Sequence, residues 1–163
     1  MTIAELNSCD RDLFVATLGG IFEHSPWVAE RAWASRPFAS RDHLHRVMVD
    51  AVRAASREEQ HALLCAHPEL GSRARMSDAS VGEQAGAGLD RLTPEDYRHL
   101  TSATSAYRDR FGFPFLLAVK GLTKHDVLTA VAERSSRSPD AEWQEALEQV
   151  GRIARFRLRD VVD

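Results

Sequence analysis

The sequence predicts an all-α fold, a compact single-domain bundle of about eight helices. Apolar residues recur at helical spacing in most segments, capping residues precede those segments, and strand-like alternation of apolar and polar residues is nearly absent. The length of 163 residues suits one domain, which we expect to occupy residues 1–163. An extended connector at residues 111–115 is the expected departure from helix.

Each helix of the N-terminal half is expected to begin at a residue that caps or opens helices. These starting points are Asn7 or Ser8, Ser25 with Pro26, Ser40, and Ser56 with Glu59. The first helix would carry apolar positions from Leu13 to Phe22. Glu23 follows it, either as a local contact at the helix end or as a residue that approaches a functional site.

The same signals predict the helices of the C-terminal half. Their starting points are Ser80 with Glu83, Thr93 with Pro94, Thr123 with Asp126, and Ser138 with Pro139. Residues 71–79 are polar and are expected to form a loop. Gly112 and Pro114 disfavour a helix through residues 111–115, which lead into the apolar residues 116–119.

Composition and charge restrict the classes of function. The chain is 44% hydrophobic and 28% charged with a formal net charge of −3, so a basic surface for nucleic acid is not indicated. No apolar run approaches the ~20 residues of a membrane span, and the N-terminal residues lack the pattern of a signal peptide. Cys9 and Cys65 lack the spacing of metal ligands, which favours reduced thiols and a cytoplasmic location.

A histidine at a helix end is the first candidate for chemistry. Pro68 disfavours α geometry at His67, so the helix before it should end there, and Gly71 then allows a turn. Histidine can give or take a proton near neutral pH. A histidine in a last helical turn also simply stabilises the helix dipole, and this sequence alone leaves both interpretations open.

Residues 80–84 and 111–119 are the other candidate stretches. Ser80 and Glu83 have the spacing of a capping box, which is a purely structural role. A helix N-terminus also presents free backbone N–H groups, and here they would lie beside a hydroxyl, a carboxylate and an amide, a set that suits a small polar substrate. Residues 111–119 either fill the core or offer unpaired backbone groups to an amide-rich ligand.

Three ordered motifs carry a family resemblance. They are His67-Pro68-Glu69-Leu70-Gly71, Ser80-Val81-Gly82-Glu83-Gln84 and Phe111-Gly112-Phe113-Pro114-Phe115, with further matches at residues 23–28, 36–38 and 153–158. In an all-helical chain of this length they resemble the OHCU (2-oxo-4-hydroxy-4-carboxy-5-ureidoimidazoline) decarboxylases. The resemblance implies a lyase with neither cofactor nor metal, usually a homodimer, that forms (S)-allantoin in the last step of urate breakdown.

The resemblance also implies roles for individual residues. The catalytic histidine would be His67 and its carboxylate partner Glu83. Our hypothesis for the mechanism is that His67 supplies a proton to one face, while Glu83 orients the substrate hydroxyl or holds the protonation state of the histidine. The implied substrate-binding residues are Pro68, Ser80, Val81, Gly82, Glu83, Gln84, Phe115, Leu116, Leu117, Ala118 and Val119. The sequence departs from the family pattern at Glu69, where aspartate is frequent, and at Ser105, where asparagine is common.

Two other classes of function are compatible with the sequence. A non-catalytic all-helical interaction module would use His67 as a cap and residues 111–115 as packing. A histidine-dependent metal hydrolase would bind zinc, although the candidate histidines show no ligand spacing. Substitution of His67 separates the module from both enzymes, and sensitivity to a chelator separates the hydrolase from the decarboxylase.

Overall fold

The computed structural model describes residues 1–72 and 77–163, and within them it contains helices and no strand, which confirms the all-α prediction. The helices are α1 (Ile3–Ser8), α2 (Arg11–Leu18), α3 (Trp27–Ala32), a 3-10 turn (Trp33–Ser35), α4 (Arg41–Arg53), α5 (Arg57–Ala66), α6 (Asp78–Gly86), α7 (Pro94–Phe111), α8 (Lys124–Arg134) and α9 (Pro139–Val161). No helix in the described part of the chain is long and apolar enough to cross a membrane.

Two compact units make up the fold. The first combines Met1–Ala66 with Gly151–Asp163, and the second is His67–Val150. Each has its own buried apolar residues. In the first unit these include Leu6, Phe14, Leu18, Leu44, Met48, Leu63 and Leu158, and in the second Leu100, Tyr107, Phe113, Phe115, Val127, Val131 and Val150. Because the second unit contains every predicted site residue, it is the one that positions the candidate site.

The prediction for the first helix was wrong, since the chain forms two short helices there. Thr2 caps α1, and the carboxylate of Asp10 caps α2 by accepting from the Leu13 N–H at 2.8 Å. The Ser8 hydroxyl instead donates to the carbonyl of Ala4 at 3.0 Å, which removes it as a cap. The described residues therefore contain nine α-helices where about eight were expected.

The helix that leads to His67 was predicted correctly. Ser56 and Glu59 form a reciprocal capping box, in which each side chain accepts from the other residue's backbone N–H, at 3.0 and 3.1 Å. The helix α5 ends at Ala66, two residues before Pro68, as the restriction on the residue before proline requires.

In the second unit, α7 and α8 also follow the predicted signals. Thr93 caps α7, which ends at Gly112 in the left-handed conformation with φ of +81°. Thr123 and Asp126 form the predicted capping box of α8. Residues 112–123 are non-helical, but Phe111, the first residue of the predicted connector, is the last residue of α7.

Candidate active site

His67 is buried at the start of the second unit. It follows the last residue of α5 and is 6% exposed. A tight turn comes next, in which the Ser72 N–H donates to the carbonyl of Glu69 at 3.1 Å and Gly71 has φ of +71°. The histidine therefore lies at a helix exit, shielded from bulk water, and its side chain is of the type that can exchange a proton near neutral pH.

Gln84 of α6 ties this turn to the second candidate stretch. Its side-chain oxygen accepts from the Gly71 N–H at 2.8 Å, and its side-chain nitrogen lies 3.5 Å from the carbonyl oxygen of Glu69. The Glu69 carboxylate forms an ion pair with Arg108 of α7 at 2.9 Å. The structure therefore brings the turn after His67 and the helix of Glu83 together within one unit.

The start of α6 differs from the prediction. Ser77, not Ser80, is the N-cap, and its hydroxyl oxygen accepts from the Ser80 N–H at 3.3 Å. Asp78 stands in the first turn, where a negative charge stabilises the helix dipole. The predicted loop at residues 71–79 consequently ends before Asp78, and its residues 73–76 lie outside the described part of the chain.

This shift changes which groups of α6 a ligand could reach. The Val81 N–H donates to the carbonyl of Ser77 at 3.0 Å, so it belongs to the helix and is not one of the free N–H groups at its start. Ser80 and Gln84 are buried and Glu83 is half-buried, whereas Val81 and Gly82 are exposed. Residues three and four apart share a helix face, so the inward face carries a hydroxyl, a carboxylate and an amide.

The third stretch is a buried, non-helical connector, defined as residues 113–119. Its Leu116 carbonyl accepts from Arg134 of α8 at 2.6 Å, and its Ala118 N–H donates to the side-chain oxygen of Gln149 of α9 at 2.9 Å. Phe115 is fully buried and meets the Tyr107 ring edge-on at a centroid distance of 5.1 Å. The connector thus fills the core and also finds partners for part of its backbone.

Leu117 stands between these two anchored residues. Among the described residues, its backbone N–H and C=O form no hydrogen bond, and the residue is half-buried. A peptide group without a protein partner is open to a ligand or to water. Leu117 is therefore where the connector can offer a donor and an acceptor side by side.

A buried polar network supports the connector from behind. The Tyr107 hydroxyl donates to Glu142 at 2.5 Å, and Arg134 donates to the same carboxylate oxygen at 2.8 Å. Burial, followed by the hydrogen bond to Glu142, raises the pKa of Tyr107 well above its ordinary value of 10.0. The phenol therefore stays protonated and acts as a donor to the carboxylate.

The sequence did not predict the roles of Arg134, Gln149 and Gln84 as anchors. Their partners are mainly backbone groups, which give no signal in a side-chain pattern. In the first unit, Glu23 forms a buried ion pair with Arg157 at 2.8 Å, so its contact is with α9 and not confined to the helix end.

Other features of the described residues lie away from these three stretches. Cys65 has its sulfur 3.5 Å from a ring nitrogen of His61, its neighbour one helical turn away. No group of three or more potential metal-ligating side chains is present in the described ranges. A surface cleft of about 590 Å³ in the first unit contains none of the predicted site residues and is lined by Arg31, Ala32, Ser35, Val47, Asp50, Ala51, Ala54 and Glu59.

This chain is similar to two known proteins, and it covers a very different share of each. It is 48% identical over 161 residues to the uric acid degradation bifunctional protein of Bacillus subtilis, covering 99% of this chain but 33% of that protein. It is 47% identical over 160 residues to the 2-oxo-4-hydroxy-4-carboxy-5-ureidoimidazoline decarboxylase of Haloferax volcanii, covering 98% of this chain and 95% of that protein. The chain thus spans a third of the first relative and nearly all of the second.

A solved structure and a family model also match this chain. A crystal structure of (S)-allantoin synthase matches with a TM-score of 0.81 at 36% identity, covering 100% of this chain and 55% of that one. Residues 7–159 match the family model described as OHCU decarboxylase. Since that match includes almost the whole chain, and the relative from Haloferax volcanii is covered nearly end to end, the chain belongs to the OHCU decarboxylase family.

Proposed function

We propose that this protein decarboxylates 2-oxo-4-hydroxy-4-carboxy-5-ureidoimidazoline to (S)-allantoin, with His67 and Glu83 as its catalytic residues. The observation that carries the assignment of residues is the bond between Gln84 and the turn after His67, because it places the histidine stretch and the Glu83 helix in one packed unit. Family membership and the names of the relatives support the reaction.

The proposed chemistry needs little more than a well-placed proton. The bond between the ring carbon and the carboxylate breaks, CO2 leaves, and the electron pair moves into the adjacent C=N group of the substrate itself. The nitrogen of that former C=N gains a proton from solvent and its carbon gains a second proton, while the neighbouring hydroxyl loses one and becomes the carbonyl of allantoin. A proton delivered to one face only sets the handedness of the product.

His67 is the proposed general acid. It is buried at a helix exit, and Gln84 of α6 binds the backbone of the turn that follows it. A positioned acid of this kind is typically worth ~10²–10⁴-fold in rate. Glu83, half-buried on the same helix as Gln84, would orient the substrate hydroxyl or hold the protonation state of the imidazole.

Substrate binding is proposed to use both α6 and the connector. Ser80 and Gln84 lie on the buried face of α6, and Leu117 offers a backbone N–H beside a C=O, which complements an amide edge of a ureide. The buried rings of Phe113 and Phe115 would exclude water from the departing carboxylate, an effect that favours decarboxylation. Contacts of Pro68, Val81, Gly82 and the rest of residues 115–119 with substrate stay predictions.

Replacement of the histidine tests the proposal directly. Urate is oxidised, 5-hydroxyisourate hydrolase is added, and the formation of optically active allantoin is followed by circular dichroism after addition of this protein. We expect the native chain to accelerate that signal and His67→Asn to lose ~10²–10⁴-fold in rate. His99→Asn, at an exposed position of α7, is the matched control and should keep full activity. Full activity of His67→Asn would contradict the proposed role of His67.

Assembly and location complete the proposal. A homodimer and a cytoplasmic location are what the family resemblance implies, and two free cysteines are compatible with a reducing compartment. Light scattering coupled to size-exclusion chromatography should give twice the chain mass of 18.2 kDa. A mass of one chain at assay concentration would overturn the dimer without affecting the proposed reaction.

A further inference from the structure

We infer that Arg134 and Gln149 are positioning residues that orient the connector so that the peptide groups of Leu117 face the substrate. This inference rests on the proposed function, because it assigns a role to two side chains that support a proposed binding element. Both residues lie outside the three motifs that carry the family resemblance, and both are nearly fully buried.

Arg134 holds the first anchored peptide group. Its guanidinium donates to the Leu116 carbonyl at 2.6 Å and to the Glu142 carboxylate at 2.8 Å. Its central carbon, Cζ, also lies over the Phe115 ring, 4.4 Å from the ring centroid. These contacts with a carbonyl, a carboxylate and a ring restrict the guanidinium, so the carbonyl that it binds is restrained as well.

Gln149 holds the second anchored peptide group. Its side-chain oxygen accepts from the Ala118 N–H at 2.9 Å, and its side-chain nitrogen donates to the Glu145 carboxylate at 2.8 Å. The bond to Glu145 requires the nitrogen on that side, which turns the oxygen toward the connector. The bond to Glu145 therefore orients the Gln149 amide, whose oxygen accepts from the backbone of the connector.

The spacing of these anchors determines where the peptide groups of Leu117 point. The Leu116 C=O and the Leu117 N–H belong to one planar trans peptide and point in opposite directions, as do the Leu117 C=O and the Ala118 N–H. Leu116 and Ala118 are two apart, and both use backbone groups on α8 and α9 side chains. Leu117 should then turn its N–H and C=O away from those helices, where the described residues supply no partner.

A measurement of KM and kcat separates positioning from simple stabilisation. Gln149→Met removes the acceptor for Ala118 at nearly constant volume, and Arg134→Lys cannot keep the planar, several-fold hydrogen bonding of the guanidinium. We expect each to raise KM by about tenfold with kcat much less affected, as weakening one or two hydrogen bonds to a ligand predicts. Gln144→Met and Arg98→Lys make the same chemical changes at exposed positions and should leave KM unchanged.

Exchanging the side chains at positions 145 and 149 of α9 should restore the native KM. Gln149→Glu combined with Glu145→Gln keeps an acceptor for Ala118 and a donor between the two side chains, so KM should return close to its native value. Assays run at a temperature where circular dichroism shows every variant folded. A KM for Gln149→Met equal to the native one, or no recovery in the swap, would overturn the inference.

Failure of this positioning role can be distinguished from failure of the proposed function. If the native chain does not form allantoin, the proposed function itself fails. If the native chain is active and His67→Asn is not, while Gln149→Met binds substrate normally, only the positioning role is lost.

Discussion

At the scale of single residues, Gln84 shows how one side chain can fix a backbone turn. Its amide oxygen accepts from the Gly71 N–H, and its amide nitrogen faces the carbonyl of Glu69. A hydrophobic side chain could fill the same space but would leave a buried N–H without its partner. The residue therefore links the stability of the second unit to the position of His67.

Removal of this amide should cost both stability and activity. We expect Gln84→Leu to lower the free energy of unfolding by about 1–3 kcal/mol, the typical cost of an unsatisfied buried donor. Urea denaturation measures the difference. Gln144→Leu, on the exposed face of α9, is the control and should be close to neutral. Equal effects at the two positions would show that the bond to Gly71 contributes nothing.

At the scale of elements, the turn between α5 and α6 depends on a glycine. Gly71 has φ of +71°, and an added Cβ would lie 2.9 Å from the Leu100 side chain and 3.2 Å from that of Leu92. Backbone strain and crowding therefore coincide at this position. A backbone shift at Gly71 would also disturb the hydrogen bond from its N–H to the side-chain oxygen of Gln84.

A single methyl group at this turn should be destabilising. Gly71→Ala is expected to lower stability by about 1–3 kcal/mol, since a non-glycine residue in the left-handed region adds strain to the clash. Gly86→Ala at the end of α6 adds the same methyl group in open space and should be neutral or slightly stabilising. Thermal unfolding of the two variants tests the difference, and identical midpoints would contradict the role of Gly71.

The helices show what a sequence can and cannot predict. Breaks at Pro68 and Gly112 were predicted correctly, because proline and glycine act on the backbone locally. The start of α6 was placed three residues late, because Ser77 and Ser80 are both good caps and only Ser77 has an acid directly after it. The anchors of the connector could not be predicted, since they join groups distant in sequence and two of the accepting or donating groups are backbone atoms.

At the scale of the whole molecule, several helices in both units begin with a carboxylate that accepts hydrogen bonds. Backbone and side-chain hydrogen bonds from Thr123 lower the pKa of Asp126 below its ordinary 3.8. In the first unit, the bidentate pairing with Arg31 and the Ser56 N–H lower the pKa of Glu59 below 4.5. The pKa values of Glu5 and Asp96 are lowered as well.

A fall in pH should therefore destabilise the protein. A carboxylate whose folded pKa is below its unfolded value contributes stability that is present above the unfolded pKa and lost as the pH falls through the folded one. We expect the thermal midpoint to decline as the pH drops from 4.5 through 3.8 and below. Asp126→Asn should reduce that decline more than Asp109→Asn at an exposed site of α7. An equal pH dependence in both variants would contradict this assignment.

The protonated phenol of Tyr107 has a consequence for reading enzyme kinetics. Because its pKa is raised, the Tyr107 hydroxyl behind the connector stays protonated across the pH range in which activity can be assayed. A change in rate with pH near neutrality would then report on a group other than this supporting phenol. The supporting tyrosine thus adds no ionisation of its own to a pH profile recorded in that range.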